Sequence, residues 1–223
     1  MQLTGFYNAD CMDWLPKLPD NTFDLAIVDP PYGGVSIGGY MRNQHPKRGK
    51  NVGVWHDYHT ALWDQERPTP EYFQQLFRVS KNAIIWGGNY FADMLPPSQC
   101  WLCWDKDIPE GVNFADVELA YTTFDQRARI FRYTWSGMRQ GDMVNKEKKI
   151  HPTQKPVRLY TWILHNFAQP GSLILDTHVG SASSLIACED MGCRYLGYEI
   201  DPVYYELARA RLDEYNAQIR MDF

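Results

Sequence analysis

The chain has 223 residues, is 44% hydrophobic and carries a net charge of −5 at pH 7, which fits one domain with a full core, read here as residues 1–223. No apolar run reaches the ~18 residues of a membrane span, and Met1 to Phe6 lacks the basic and apolar regions of a signal peptide. Five irregularly spaced cysteines imply no disulfide framework, so the expectation is a reduced, cytoplasmic protein without a membrane partner.

The first clear strand signal is the apolar run Phe23 to Val28, followed at once by Asp29-Pro30-Pro31-Tyr32. Gly33 to Pro70 has weak periodicity and reads as a long functional loop. Ala83 to Trp86 is a second strand, stopped by Gly87-Gly88-Asn89; Cys100 to Trp104, Val117 to Phe124 and Ile130 to Trp135 follow. Val157 to Phe167 places Leu159, Trp162, Ile163 and Phe167 on one helical face, opened by Pro156 and closed before Pro170-Gly171. Leu173 to Asp176 and Tyr195 to Ile200 are late strands, and Asp201-Pro202 caps a last helix. Alternating strands and helices predict an α/β fold with a mainly parallel sheet.

Two basic runs stand out in this acidic chain. Gly39 to Lys50 holds Arg42, Lys47, Arg48 and Lys50 with no acid, and Gln126 to Lys149 holds seven bases, Lys148 and Lys149 among them, against two acids. Aromatic residues interleave both, the pattern of a surface that faces a polyanion. Residues 33–70 and 125–150 are therefore expected to contact nucleic acid, with Trp55 as a candidate wedge or stacking residue.

A parallel α/β sheet gathers its ligands at the carboxyl ends of its strands, where Asp29-Pro30-Pro31-Tyr32 is expected. Two prolines remove two backbone donors and leave carbonyl acceptors beside a carboxylate and an aromatic ring. Such a notch suits an amino group on a flat ring, whose delocalised lone pair becomes available when its hydrogens are accepted. The second constellation runs from Leu173 through Asp176-Thr177-His178-Val179-Gly180-Ser181 into a helix rich in small residues, with Glu199 ending a strand some twenty residues on. A glycine turn with a later acid is how doubly wound folds hold a nucleoside. The missing glycines argue against a pyrophosphate and favour a single-nucleoside cofactor. Cys100 and Cys103 have a metal-like gap without a second pair, so no metal is expected.

Together Asp29-Pro30-Pro31-Tyr32, His151-Pro152-Thr153-Gln154-Lys155-Pro156 and Leu175 to Ser181 resemble the permuted, beta-class DNA amino-methyltransferases, in which the catalytic tetrapeptide precedes the cofactor loop. The resemblance extends to Asn8-Ala9-Asp10-Cys11 and to Gly197 through Pro202; the short length and Ile85 to Tyr90 look like small phage and prophage methylases. It implies a Rossmann-like fold with seven strands and helices on both faces. It also implies S-adenosylmethionine as donor and double-stranded DNA with a flipped base as acceptor. Asp29, Pro30, Pro31 and Tyr32 would hold the base, with N6 of adenine as the target. Asp176, Gly180 and Ser181 would line the methionine side, Glu199 the ribose and Asp10 the adenine of the cofactor, with Cys11, Thr177, His178 and Ile200 also expected to contact it. Thr153 and Lys155 would close the pocket near the cofactor's carboxylate. The sequence departs from the family where Thr177 and His178 replace a proline and a phenylalanine, and Ala182 a glycine. Alternatives are the exocyclic amine of cytosine, an RNA substrate, or a binding relative without turnover; the oligomeric state, a dimer included, is open.

Overall fold

The computed structural model describes residues 3–33, 66–108, 115–136 and 139–219. Ten strands are found among them: β1 Gly5–Asn8, β2 Leu25–Val28, β3 Ala83–Trp86, β4 Trp101–Asp105, β5 Val117–Thr122, β6 Arg129–Arg132, β7 Trp135–Ser136, β8 Arg139–Gln140, β9 Leu173–Asp176 and β10 Arg194–Glu199. The helices are α1 Pro70–Val79, α2 Val157–Phe167, α3 Ser183–Asp190 and α4 Pro202–Ile219, with short 3-10 turns at Cys11–Asp13, Leu15–Lys17 and Gly88–Tyr90.

Eight strands form one sheet in the order β1-β10-β9-β2-β3-β5-β4-β6, and β7 and β8 make a separate hairpin. From β1 to β3 every pairing is parallel, β5 is antiparallel to both its neighbours, and β6 runs parallel to β4 at the edge. The resemblance implied seven strands; the eighth comes from the run expected at Ile130 to Trp135. Past Arg132, Tyr133 N and Trp135 N still donate to the Asp105 and Lys106 carbonyls, and from Trp135 the chain pairs with Gln140 in the β7-β8 hairpin.

The central strands are buried on both faces, as parallel strands flanked by helices must be. Along β2, Ala26 and Val28 join Tyr72, Phe73, Leu76 and Val79 of α1, whereas Leu25 and Ile27 join Leu159, Tyr160, Ile163 and Leu164 of α2. Phe6 of β1 packs with Leu185 and Ile186 of α3 and with Ala208 and Leu212 of α4. One helix thus covers one face and three cover the other. Helix α1 was not expected from the sequence, yet its start carries a cap signal: Thr69 Oγ1 accepts from Tyr72 N at 3.4 Å, ahead of Pro70 and Glu71. At α4, Asp201 Oδ1 accepts from Val203 N at 2.8 Å and Tyr204 N at 3.2 Å, as its position before Pro202 predicts. Among the described residues no helix is long and apolar enough to cross a membrane.

Candidate active site

Parallel order brings four neighbouring strand ends to one edge, and each supplies a polar side chain. Asn8 ends β1, Glu199 ends β10, Asp176 ends β9, and Asp29 follows β2. Because β5 is antiparallel, its first residues reach that same edge and bring Glu118 with them.

At the Asp29 end, both carboxylate oxygens are taken. The Tyr32 hydroxyl donates to Oδ1 at 2.6 Å and the Lys155 ammonium to Oδ2 at 2.5 Å. Lys155 is 4% exposed and also pairs with Glu118 Oε2 at 3.2 Å, while Lys106 holds Glu118 Oε1 at 3.0 Å. Two carboxylates and two ammoniums thus alternate in a chain, which makes their burial tolerable. Burial pushes the Asp29 carboxyl above the usual carboxylate range despite Lys155, and Glu118 adds to that rise. Burial acts on Glu118 in the same sense, but Lys155 and Lys106 outweigh it and hold that carboxyl low. Tyr32 stacks on Tyr90 at 4.8 Å between ring centroids, and a side chain at Gly87 (φ +68°) would overlap the Tyr32 ring. Any base stacking on Tyr32 therefore competes with Tyr90. Lys155 also lies 5.5 Å from the Trp86 ring centroid.

At the other end, Asp176 accepts from Ser184 Oγ at 2.5 Å and from the His178 backbone at 3.0 Å, and burial pushes its carboxyl up to about 7. Glu199 accepts from Gly180 N at 2.8 Å and Asp201 N at 2.9 Å, so two strand-to-helix turns fix its orientation. Asn8 Nδ2 ties down the Glu199 and Ile200 carbonyls at 2.8 and 3.2 Å, and the Ile200 side chain is exposed beside them. Asp10 Oδ1 caps the turn at Met12 N, and the neighbouring Cys11 thiol is buried and pushed up to about 12 by that burial and by Asp10. Thr177 and His178 are linked at 2.9 Å, and Tyr72 of α1 reaches Thr177 Oγ1 at 2.6 Å. Burial lowers His178 to about 4, so its ring is neutral.

The His151 segment spans the two ends. The His151 ring packs on Tyr204 at 4.3 Å and binds Thr153 Oγ1 at 3.1 Å. A Cβ built on Gly180 would stand 3.8 Å from that ring, which places the segment over the glycine turn. Four residues on, Lys155 is at Asp29. The lysine expected beside Thr153 is thus held at the base-side carboxylate.

Among the basic candidates, Lys148 is exposed, whereas Lys149 is half-buried with its ammonium 4.7 Å over the Trp135 ring, and burial lowers its pKa. Arg42, Lys47, Arg48, Lys50 and Trp55 lie outside the described residues. Sequence reasoning missed Glu118, Lys106 and Tyr72. For Glu118 the available signal was a lone acid inside the apolar run Val117 to Tyr121.

Comparison with known proteins gives a consistent picture. A family described as DNA methylase matches residues 97–210, just over half of the chain. The type II methyltransferase M2.MboI of Moraxella bovis is 23% identical over 98% of this chain and 91% of its own length. Among solved structures, M1.HpyAVI in complex with SAM superposes with a TM-score of 0.58 at 16% identity, covering 93% of this chain and 98% of that one. The cytosine-N4-specific PvuII DNA methyltransferase does so with 0.58 at 12%, covering 95% and 91%.

Proposed function

The chain belongs to the DNA methylase family, and from that premise we propose that it is a single-unit enzyme transferring a methyl group from S-adenosylmethionine to the N6 amine of adenine in DNA. The observation that carries this reading is the Asp29 carboxylate, set after β2 beside Tyr32 and aligned along one sheet edge with Asp176 and Glu199.

The residues at the second end fit such a cofactor. Asp176, Glu199 and Asp10 supply carboxylates, and none of them forms an ion pair among the described residues. That suits a nucleoside with a cationic sulfonium and no phosphate. Glu199 keeps acceptor capacity for two ribose hydroxyls after its two backbone bonds. Asp10 and Cys11, with the exposed Ile200, border the adenine side. Asp176, Thr177, His178, Gly180 and Ser181 line the methionine side, with Thr153 above them. When bound, the cofactor supplies an electrophilic methyl group.

The protein's part is to bind, align and take a proton. Asp29 and the Pro30 carbonyl accept hydrogens of the flipped base's amine, with Pro31 stiffening the turn and Tyr32 bracing the ring. The nitrogen lone pair forms the new C–N bond as the C–S bond breaks with its electrons on sulfur. The surplus proton passes from nitrogen to Asp29 and on to solvent as product leaves. Alignment of two bound reactants supplies much of the rate. The phosphate contacts fall to the exposed Lys148 and to Arg42, Lys47, Arg48 and Lys50, while Lys149 is engaged by the Trp135 ring.

Expression in methylation-free cells, followed by mass spectrometry of the nucleosides, tests this directly. N6-methyladenine is the expected product. N4-methylcytosine alone would move the substrate to cytosine, and no modified base would remove the enzymatic reading.

A further inference from the structure

Asp29 faces a problem of occupancy. Its two oxygens are bonded to Tyr32 and Lys155, yet the proposed reaction needs an acceptor for the base's amine. One donor must withdraw. Tyr32 is wedged between Tyr90 and Gly87, so the long Lys155 side chain is the donor that can. An ammonium that is 96% buried cannot simply be released, because an unpaired buried charge is strongly unfavourable. Glu118 resolves this, since its Oε2 is already 3.2 Å from the same nitrogen.

Resting on the reading above, we propose that Glu118 is a positioning residue: it retains the Lys155 ammonium while the base's amine takes Lys155's place on Asp29. Lys106, bonded to the other oxygen of Glu118, fixes that carboxylate in place. The opposite displacements of the two carboxyls support this. Asp29 is pushed up by burial while Glu118 is held down by its two lysines, so the proton taken from the methylated amine goes to Asp29 and Glu118 stays ionised. The other titratable groups coupled to Asp29 are Tyr32 beside it, Tyr72 of α1, Tyr160 of α2 and Asp176 of β9; those coupled to Glu118 are Lys106, Lys155, Asp29, Tyr32 and Tyr160. The fold explains how Glu118 comes to be there. Only a strand running against the others brings its first residues to the carboxyl edge.

Two substitutions with opposite expected signs test the assignment. Glu118→Gln removes a like charge and leaves Lys155 to Asp29 alone, so the Asp29 titration should fall by about one pH unit. Lys106→Gln frees Glu118 to draw Lys155 toward itself, and the same titration should rise. Carboxyl NMR of the unliganded protein follows Asp29 directly and reads out whether or not the wild type methylates DNA. On plasmid DNA from methylation-free cells, Glu118→Gln should lower kcat roughly tenfold or more, shift the acid limb of the pH profile downward, and leave KM for S-adenosylmethionine within about twofold. Glu118→Asp should restore the position of that limb. An Asp29 titration unmoved by both substitutions, or moved the same way by both, overturns the proposal. An inactive wild type with the opposed titrations intact would instead count against the proposed function and leave the charge arrangement standing.

Discussion

After β2, the carboxylate of Asp29 meets an ammonium and a phenol; at the ends of β9 and β10, Asp176 and Glu199 meet a hydroxyl and backbone N–H groups and, among the described residues, no cation. The strand ends are neighbours in one sheet, so the backbone poses the same local problem at each. What differs is the source of compensation. Asp29 draws on the Tyr32 hydroxyl and on Lys155 from the distant segment before α2, an ammonium it shares with Glu118 of β5. Asp176 draws on the His178 N–H of the turn after β9 and on the Ser184 hydroxyl of α3, and Glu199 on the N–H groups of Gly180 and Asp201 in the turns after β9 and β10. A carboxylate compensated by turn amides keeps its place whether or not a ligand is bound. One compensated by a long lysine can exchange partners. The first suits a cofactor pocket and the second a site where an acceptor must be uncovered.

Emptying one end of the site should leave the other intact. Asp29→Ala should lower methyl transfer by about a thousandfold or more, beyond the loss of one oriented hydrogen bond, while S-adenosylmethionine affinity stays within a few fold. Calorimetry beside a tritiated-methyl assay separates the two readouts. The converse change, Glu199→Ala, removes the ribose acceptor and strands the N–H groups of Gly180 and Asp201. Such losses run to about 1–3 kcal/mol, so cofactor affinity should fall roughly ten- to a hundredfold. Equal losses of affinity in both variants would mean that the two ends do not act separately.

A pH experiment sharpens the same contrast. Burial holds the Asp176 carboxyl at about 7 in the folded protein, above its ordinary 3.8, so the folded protein binds more protons than the unfolded chain between those values. Stability from this group is therefore present at low pH and declines as pH rises from about 4 to 7. A cationic ligand favours the ionised form, so S-adenosylmethionine affinity should rise over the upper part of that window with release of a proton. Asp176→Asn should flatten both dependences. Calorimetry in buffers of different ionisation enthalpy counts the proton, and an unchanged count in the variant would assign it elsewhere.

The sequence was most informative where one local rule decides the outcome. Strands β3 and β9 and helix α2 have the bounds that apolar runs and flanking proline or glycine predict. Asp29, Asp176 and Glu199 were visible as candidates because each ends such a run. Helix α1 was hidden because the weak periodicity before it was carried up to Pro70, where the cap at Thr69 begins a new pattern. Glu118 was visible only as a lone acid in an apolar run; its role, that of Lys106 and the destination of Lys155 were not legible, because they depend on β5 running antiparallel and on pairings more than 100 residues apart, as between Lys155 and Asp29. Strand direction is a tertiary property that no spacing in the run Val117 to Thr122 encodes.

The smallest expected effect concerns the turn that serves the cofactor end. Ala182 has φ +61° and ψ +17°, left-handed backbone that suits glycine, at the position where related proteins are expected to carry one. Relieving that conformation by Ala182→Gly should contribute about 1–2 kcal/mol. Two losses oppose it. The methyl group is fully buried among Phe6, Val179, Leu185 and Leu212, and removing it costs about 0.8 kcal/mol. The freer unfolded chain costs a further ~0.4–1 kcal/mol. The sum is close to zero, so the denaturation midpoint of Ala182→Gly should match the wild type to within about 0.5 kcal/mol. On this account alanine persists because the methyl packed under α4 offsets the strain of the turn. Methyl transfer at Asp29 should be unaffected once cofactor is saturating. A stability gain above about 1 kcal/mol would show that the strain exceeds what the buried methyl recovers, and that the cofactor end, unlike the acceptor end, is held under backbone tension.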